Sequence, residues 1–387
     1  MTVRVNKQPF NIREKLSELE RPVGVKGNEL MRAETAQEAG ALLGVGRKNI
    51  IINGNQDIDQ RNNGSATANF TDSGKFVTDR WEGYNANGGT ISGQRVEDAP
   101  PGFKRSIKLT VGTASSPRPA SSYGGMYYTV EGFDAYRFAW GTSGAKYATL
   151  SFWVKASVAG LYTVAVRDSA FTSYYIATYY IDSANTWEYK TVNIPPTTSG
   201  SFSSTTGIGF SLFFAFDTGS NAHGTVNSWM IGGGNKYATS GMARLFATSG
   251  NTWQITGVQM EVGKNATEFE YRSYGEELAL CQRYFLKTSN AFGCVYQSSG
   301  NTGNVGLGIC FPVEMRIASS SSNTTLPTGT ANNVHNFGDG NNSYVSGGVY
   351  AGTTRGSQIY LTGGTAKTIG TFSVLNVGAE VLFDAEL

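Results

Sequence analysis

The sequence predicts an all-β protein with helices confined to its start and to one internal junction. Apolar and polar residues alternate over short runs, and clusters of Gly, Asn, Ser and Thr separate the runs. Charged residues make up 16% of the chain, below the usual quarter, while aromatics reach 12% and glycines number 49. No repeat of fixed period shows, which argues against a β-helix or a propeller. With 387 residues the chain has room for more than one core. The expected order is a helical arm at 1–48, a large antiparallel jelly-roll sandwich at 49–272, a linking helix at 273–286 and a smaller C-terminal β-sandwich at 287–387.

The arm opens with "NIREKLSELERP", where Asn11 is an N-cap with Glu14 three residues on and Pro22 is a stop. Ile12, Leu16 and Leu19 share one face of that helix. In "AETAQEAGALLGVG", Thr35 and Glu38 make a second capping box and Gly44 a C-cap. Two short helices cannot bury a core alone, so their apolar stripes need a partner: further copies of the chain or another protein. From Asn49 the pattern changes to period two, with "NIIINGNQDIDQR" read as an opening strand and Asn53-Gly54 and Asn63-Gly64 as turns. Further strands are expected at 105–111, 147–157, 160–169, 174–182, 187–195, 207–217 and 253–263. Ser273 and Glu276 then cap a helix carrying Leu278, Cys281 and Phe285 on one face. It reads as a hinge or spacer before a second β-block that runs to "FDAEL" at the C-terminus.

The net charge of +2 predicts neither a nucleic-acid groove nor an anionic membrane partner. The start lacks an apolar signal region and no run reaches the length of a membrane span, so a soluble chain made in a cytoplasm is expected. Cys281, Cys294 and Cys310 form no CxxC pair and are expected as buried, reduced thiols. His223 and His335 lack a partner at ligand spacing, and no nucleophile elbow, zinc-protease motif or phosphate-binding loop is present. Glycosidic cleavage needs only two carboxylates brought together by the fold, and Asp57, Asp79, Glu82, Glu97, Asp98, Glu131 and Asp134 are available. In "NGNQDID", Asp57 and Asp59 are candidate oxygen ligands for a structural Ca²⁺; no other cofactor is expected.

Aromatic side chains are the surplus that points to a function. Tyr127, Tyr128, Tyr136, Trp140, Tyr174, Tyr175, Tyr179 and Trp229 crowd one half of the first β-block and are the candidate glycan-stacking residues. Neighbours in a strand face opposite ways, so each doubled tyrosine must send one ring inward and one outward. Outward rings suit the apolar face of a sugar, and they equally suit an interface between copies of the chain.

The chain resembles a family of bacteriophage appendage proteins, common among phages of marine and freshwater bacteria. The landmarks are "MTVRVNK" with "NIREKL", "MRAETAQEAGALLGVGRKNIIINGNQDIDQR", "TDRW", "LSFWVKAS", "NTWEYKTVNIP", "WQITGVQMEVG", "EFEYRSYGEELALCQRYF" and the terminal "FDAEL". The resemblance implies a non-enzymatic virion protein with a jelly roll like that of carbohydrate-binding modules. The implied assembly is a homotrimeric tail fibre or spike that contacts a host surface glycan or receptor. Residues 1–48 would attach it to a tail or adaptor protein, and assembly would take place in the host cytoplasm. In such a trimer Ile12, Leu16, Leu19, Leu278, Cys281 and Phe285 would pack against their counterparts. A capsid-bound head fibre or decoration protein and a glycan depolymerase tailspike are the alternatives. Sugar-binding jelly rolls of this kind hold calcium through acidic residues on the first and last strands. The matching positions here are Gln56-Asp57, with Gln259 and Glu261 in place of an aspartate pair.

Overall fold

The computed structural model describes residues 47–232, 234–289, 292–299, 302–326, 334–336, 340–342, 346–364, 372–375 and 379–387. The expected arm helices, with Ile12, Leu16 and Leu19, lie outside the described residues. Asn49–Leu387 is one unit. Its first half contains β1 (Ser73–Thr78), β2 (Trp81–Ala86), β3 (Ile91–Val96), β4 (Ser106–Val111), β5 (Tyr123–Glu131) and β6 (Ala148–Ala156). It continues with β7 (Gly160–Asp168), β8 (Ser173–Ile181), β9 (Glu188–Ile194), β10 (Ile208–Thr218), β11 (Trp229–Ile231) and β12 (Thr252–Val262).

These strands form an antiparallel sandwich. One sheet has seven strands in the order β1-β2-β5-β10-β7-β8-β11, and the other has five in the order β3-β4-β12-β6-β9. The pattern in β10 shows why the sheets face each other. Phe210, Leu212, Phe214 and Phe216 alternate along one face and meet Leu150, Phe152, Trp81 and Trp253 in a single core. Burying such rings contributes roughly 1.5–3 kcal/mol each. The strands expected from alternation at 105–111, 147–157 and 253–263 are β4, β6 and β12, shifted by a residue or so.

The opening stretch departs from expectation. Residues 49–59 are mostly buried but are not a strand. Asn53 and Gln56 take left-handed φ of 56° and 62°, which coils the chain and breaks the extended ladder. Asn49 substitutes for part of that ladder: its Oδ1 accepts from the amides of Ile51 (2.9 Å) and Met260 (3.0 Å).

After the jelly roll come the helix α1 (Tyr274–Gln282), β13 (Phe285–Thr288), β14 (Phe292–Ser299), β15 (Thr302–Cys310) and β16 (Thr324–Thr325). Then follow β17 (Val334–Asn336), β18 (Gly340–Asn342), β19 (Ser346–Gly352), β20 (Gly356–Gly364), β21 (Phe372–Leu375) and β22 (Val381–Asp384). A seven-stranded sheet, β18-β17-β21-β14-β15-β20-β19, packs with the small sheet β13-β22-β16. Val305, Leu307, Ile309, Ile359, Leu361 and Phe383 fill their shared core. Among the described residues no helix is long and apolar enough to cross a membrane.

The helix α1 is not a spacer. Ser273 caps it by accepting from the Glu276 amide, as its sequence predicts. Cys281 is fully buried against Ile52, Ile58 and Tyr284, and half-buried Leu278 packs on the same cluster. Phe285 is buried under the guanidinium of Arg61, 3.8 Å from its ring centre. The apolar face assigned to a trimer axis is therefore consumed within one chain. The thiol prediction also needs correction: Cys281 is buried, but Cys310 is exposed, because it alternates with the inward Ile309 at the end of β15. The Cys294 side chain lies outside the described residues.

A buried polar junction binds this region to the jelly roll. Arg80, itself in a left-handed conformation (φ 72°), pairs with Glu386 beneath the ring of Tyr284. Arg61 pairs with Asp384 at 2.8 Å, and Arg283 grips Glu131 with two bonds of 3.0 and 2.6 Å. Arg316 donates to the carbonyls of Ala385, Glu386 and Thr206. The C-terminal residues are thus the clasp of the fold, not a trailing end. Removing one partner of a buried pair costs about 3–5 kcal/mol, because the other charge is left uncompensated.

Candidate functional site

The outer face of the seven-stranded jelly-roll sheet carries the second aromatic cluster of the fold. Its residues are those that alternate with the core positions: Glu82 and Tyr84 on β2, Tyr123 and Tyr127 on β5, Ser211 and Phe213 on β10, and Arg167 on β7. Register brings them together. Glu82 stands opposite Tyr127, Tyr127 opposite Phe213, and Ser211 opposite Arg167. The Tyr84 and Tyr123 rings stack with centroids 5.4 Å apart and planes at 12°. Tyr127 lies 4.3 Å from Phe213, and Phe213 lies 4.3 Å from Tyr237. Gly125, on the same face, leaves the room: a Cβ there would meet the Phe213 ring at 2.3 Å.

Parts of the segment 219–246 on either side of β11 fold over this face, through Ala222, Val226, Tyr237, Ala238 and Met242. Tyr237, Ala238 and Ala222 are buried on it, covering Tyr174 and Ile176 of β8. Buried Arg167 fixes the cover, donating to the Tyr237 hydroxyl at 2.6 Å, to Asn235 Oδ1 at 3.3 Å and to the Gly234 carbonyl at 3.2 Å. Asn235 in turn donates to the Tyr123 hydroxyl at 3.3 Å, and the Tyr127 and Tyr237 hydroxyls pair directly. Beyond the cover, Tyr84, Tyr123 and Tyr127 remain half-buried, a strip of phenol rings edged by Glu82, Thr129 and exposed Asn235. Burial pushes the Tyr123, Tyr127 and Tyr237 phenols up, so the strip is neutral there at physiological pH. Burial first, and then the nearby Glu386, pushes the Glu82 carboxyl up as well.

Of the eight aromatic candidates, the structure gathers few in one place. Tyr127 lies in the strip, and Tyr174 shares its face but is covered by 219–246. Tyr128, Tyr175 and Tyr179 point into the jelly-roll core, as the inward members of their pairs. Trp140 is buried among Phe138, Phe202, Phe210 and Trp229. Half-buried Trp229 packs on that core and donates its Nε1 to the Pro195 carbonyl at 2.8 Å. Tyr136 is 62% exposed but lies in a helical turn between β5 and β6, outside the outer-face cluster. Tyr84, Tyr123, Phe213 and Tyr237 did not stand out in the sequence. Two signals could have found two of them: the i, i+4 spacing of Tyr123 with the candidate Tyr127, and the phase of Phe213, opposite to that of Leu212 and Phe214.

The proposed calcium pair is engaged otherwise. Asp59 accepts from the amides of Asn62 (2.9 Å) and Gly64 (2.6 Å), while Asp57 takes Asn55 and Arg105. Both carboxylates serve the turn and nearby arginines. At the last strand, Gln259 Nε2 donates to Glu261 Oε1 (2.9 Å) and lies within 3.3–3.4 Å of Thr267 and Glu268 oxygens. An amide nitrogen therefore occupies the oxygen-rich position. Among the described residues no group of three or more His, Cys, Asp or Glu side chains is arranged to hold a metal.

No protein-family model and no curated protein matches the sequence. Solved structures with partial likeness include the enzymatically active domain of tailspike protein 4 of bacteriophage CBA120, at TM-score 0.30 and 14% identity over 56% of this chain; the chain spans 21% of that domain. The family 11 carbohydrate-binding module of a Clostridium thermocellum cellulosomal cellulase has TM-score 0.27 and 14% identity, covering 51% of this chain and 98% of its own. The N-terminal CBM22-1-CBM22-2 tandem domain of Paenibacillus barcinonensis Xyn10C has TM-score 0.26 and 11% identity, covering 85% and 92%.

Proposed function

We propose that the chain is a non-enzymatic, glycan-binding structural protein. More particularly, we propose a homotrimeric phage tail fibre or spike attached to a tail or adaptor protein through residues 1–48. The observation that carries glycan binding is the half-buried strip of Tyr84, Tyr123 and Tyr127, with hydrogen-bonding groups at its edge. A sugar ring lays its C–H face on phenol rings and turns its hydroxyls to Glu82, Asn235 and Thr129. Covering a patch of this kind contributes on the order of 1–2 kcal/mol per ring at about 25 cal/mol per Å². Single sites are therefore weak, and three on one frame bind usefully by avidity. The virion assignment rests on the sequence landmarks.

Two measurements test the reading. An array of neutral and charged glycans should bind the wild-type chain and bind Tyr84→Ala more weakly; undiminished binding by Tyr84→Ala rules the strip out. Light scattering should give a mass near three times 41.4 kDa, and a monomer would remove the trimer.

One observation favours a depolymerase instead. Glu82 is a half-buried carboxyl beside the strip that holds its proton more tightly than usual and is close enough to Glu386 to feel its charge. Glycan shortened by wild type but not by Glu82→Gln would establish it.

A further inference from the structure

The C-terminal sheet has an open trough of about 380 Å³ on the face turned away from its core. That volume falls in the range of roughly 300–1,000 Å³ typical of small-molecule sites. Its floor follows from the sequence "VGLGIC" in β15: Val305, Leu307 and Ile309 point inward, so the outward positions Gly306 and Gly308 carry no side chain. Register places Tyr360 opposite Gly306 and Gln358 opposite Gly308 on the neighbouring β20.

The walls have their own local causes. A bulge between Val349 and Ala351 interrupts the pairing of β19 with β20 and leaves Tyr350 out of register. Tyr350 is 80% exposed, the most exposed of the large hydrophobic residues among the described ones. Tyr360 lies across Gly348, where a Cβ would sit 2.8 Å from its hydroxyl and 3.0 Å from its ring. The trough is thus a bare glycine strip bounded by two phenols and one amide, with no charged side chain among the described lining residues.

We propose that this trough is a second glycan site, taking neutral pyranose rings stacked on Tyr350 and Tyr360. The inference rests on the reading of the chain as a glycan binder and adds a site in a separate sheet. The chemistry selects this occupant. The uncharged lining among the described residues disfavours phosphate, sulfate and acidic ligands. The backbone of β15 and β20 is already paired on both sides, so a peptide cannot add as a strand. A sugar ring supplies what remains: an apolar face for the tyrosines and hydroxyls for the Gln358 amide and the phenols.

The test uses the full chain on an array of neutral and acidic glycans, as wild type, Tyr84→Ala, Tyr350→Ala and the double variant. Tyr350 is exposed, so its truncation should leave the melting temperature unchanged. The inference predicts that Tyr84→Ala keeps signal for some neutral glycans and that adding Tyr350→Ala lowers that signal at least tenfold. If Tyr84→Ala abolishes all binding while Tyr350→Ala changes nothing, the trough is not a site and the jelly-roll strip stands alone. If Tyr350→Ala abolishes binding and Tyr84→Ala does not, the strip fails and the trough stands. If wild type binds no glycan, both fail. If Tyr350→Ala instead lowers the oligomeric mass in light scattering, the trough is an interface between copies and the inference is overturned.

Discussion

The two faces of the seven-stranded jelly-roll sheet are both aromatic, yet they are built differently. The inner face carries Trp81 and the phenyl rings of β10, meets Phe152 and Trp253, and is sealed by the opposing sheet. The outer face uses tyrosines, whose hydroxyls find partners in Asn235, Tyr237 and each other, and a loop segment seals only part of it. Alternation along one strand therefore produces a sealed surface and a partly open one from neighbouring residues. The difference lies in the hydroxyls and in what covers each face.

The largest effect is expected on the inner face. Phe214 lies 5.2 Å from the Phe152 ring and 6.1 Å from Trp253, with no exposure. Phe214→Ala should cost about 3–5 kcal/mol in urea unfolding. A loss below about 1 kcal/mol would mean that this face is not the core.

The junction offers the next contrast, since there a charge is buried without an arginine in direct contact. Asp79 is fully buried and accepts from the Gln60 amide at 3.1 Å and from Gln60 Nε2 at 2.6 Å. Burial pushes its carboxyl up to about 6 from an ordinary 3.8. The folded chain then holds this proton more tightly than the unfolded chain. Its contribution is fully present below about pH 4 and is lost as pH rises through about 6. At 1.36 kcal/mol per pKa unit the change amounts to ~3 kcal/mol. Asp79→Asn should remove that slope from unfolding curves collected between pH 4 and 7; an identical slope in the variant would contradict the assignment.

Arg167 sharpens the comparison on the outer side. Arg167→Met removes the donors that fix 234–237 to the sheet, and hydrogen bonds to a charged group contribute about 1.5–3 kcal/mol. Hydrogen exchange should speed up at 234–238 and stay slow in β10, showing a cover that opens without the core. Smallest in stability is Tyr84→Ala, expected to cost under about 1 kcal/mol because its ring is only half-buried.

Much of the sandwich was legible, because β4 and β6 alternate over six or more residues, while the apolar density of β10 and the two alternating halves of β12 on either side of Gly257 mark those strands as well. Less legible were β2 and β5, where "WEGYNA" and "YGGMYY" dilute the period with glycine. Alternation showed that each tyrosine pair must split, and Tyr179 in with Tyr180 out follows that rule. It could not show which member faces solvent, since that depends on the sheet packed opposite. Nor could it show that 219–246 covers Tyr174, or that Arg80 meets Glu386 across 306 residues. The helix α1 misled for the same reason: an apolar stripe records that a partner exists, not whether it belongs to the same chain.

The central claim is that the open tyrosine strip of the outer face binds sugar. Its most direct test is calorimetric titration of wild type and Tyr84→Ala/Tyr123→Ala with the glycan that gives the strongest array signal lost in Tyr84→Ala. The double variant should bind at least tenfold more weakly at the jelly-roll site while unfolding at nearly the wild-type temperature. Equal affinity in the two proteins would contradict it.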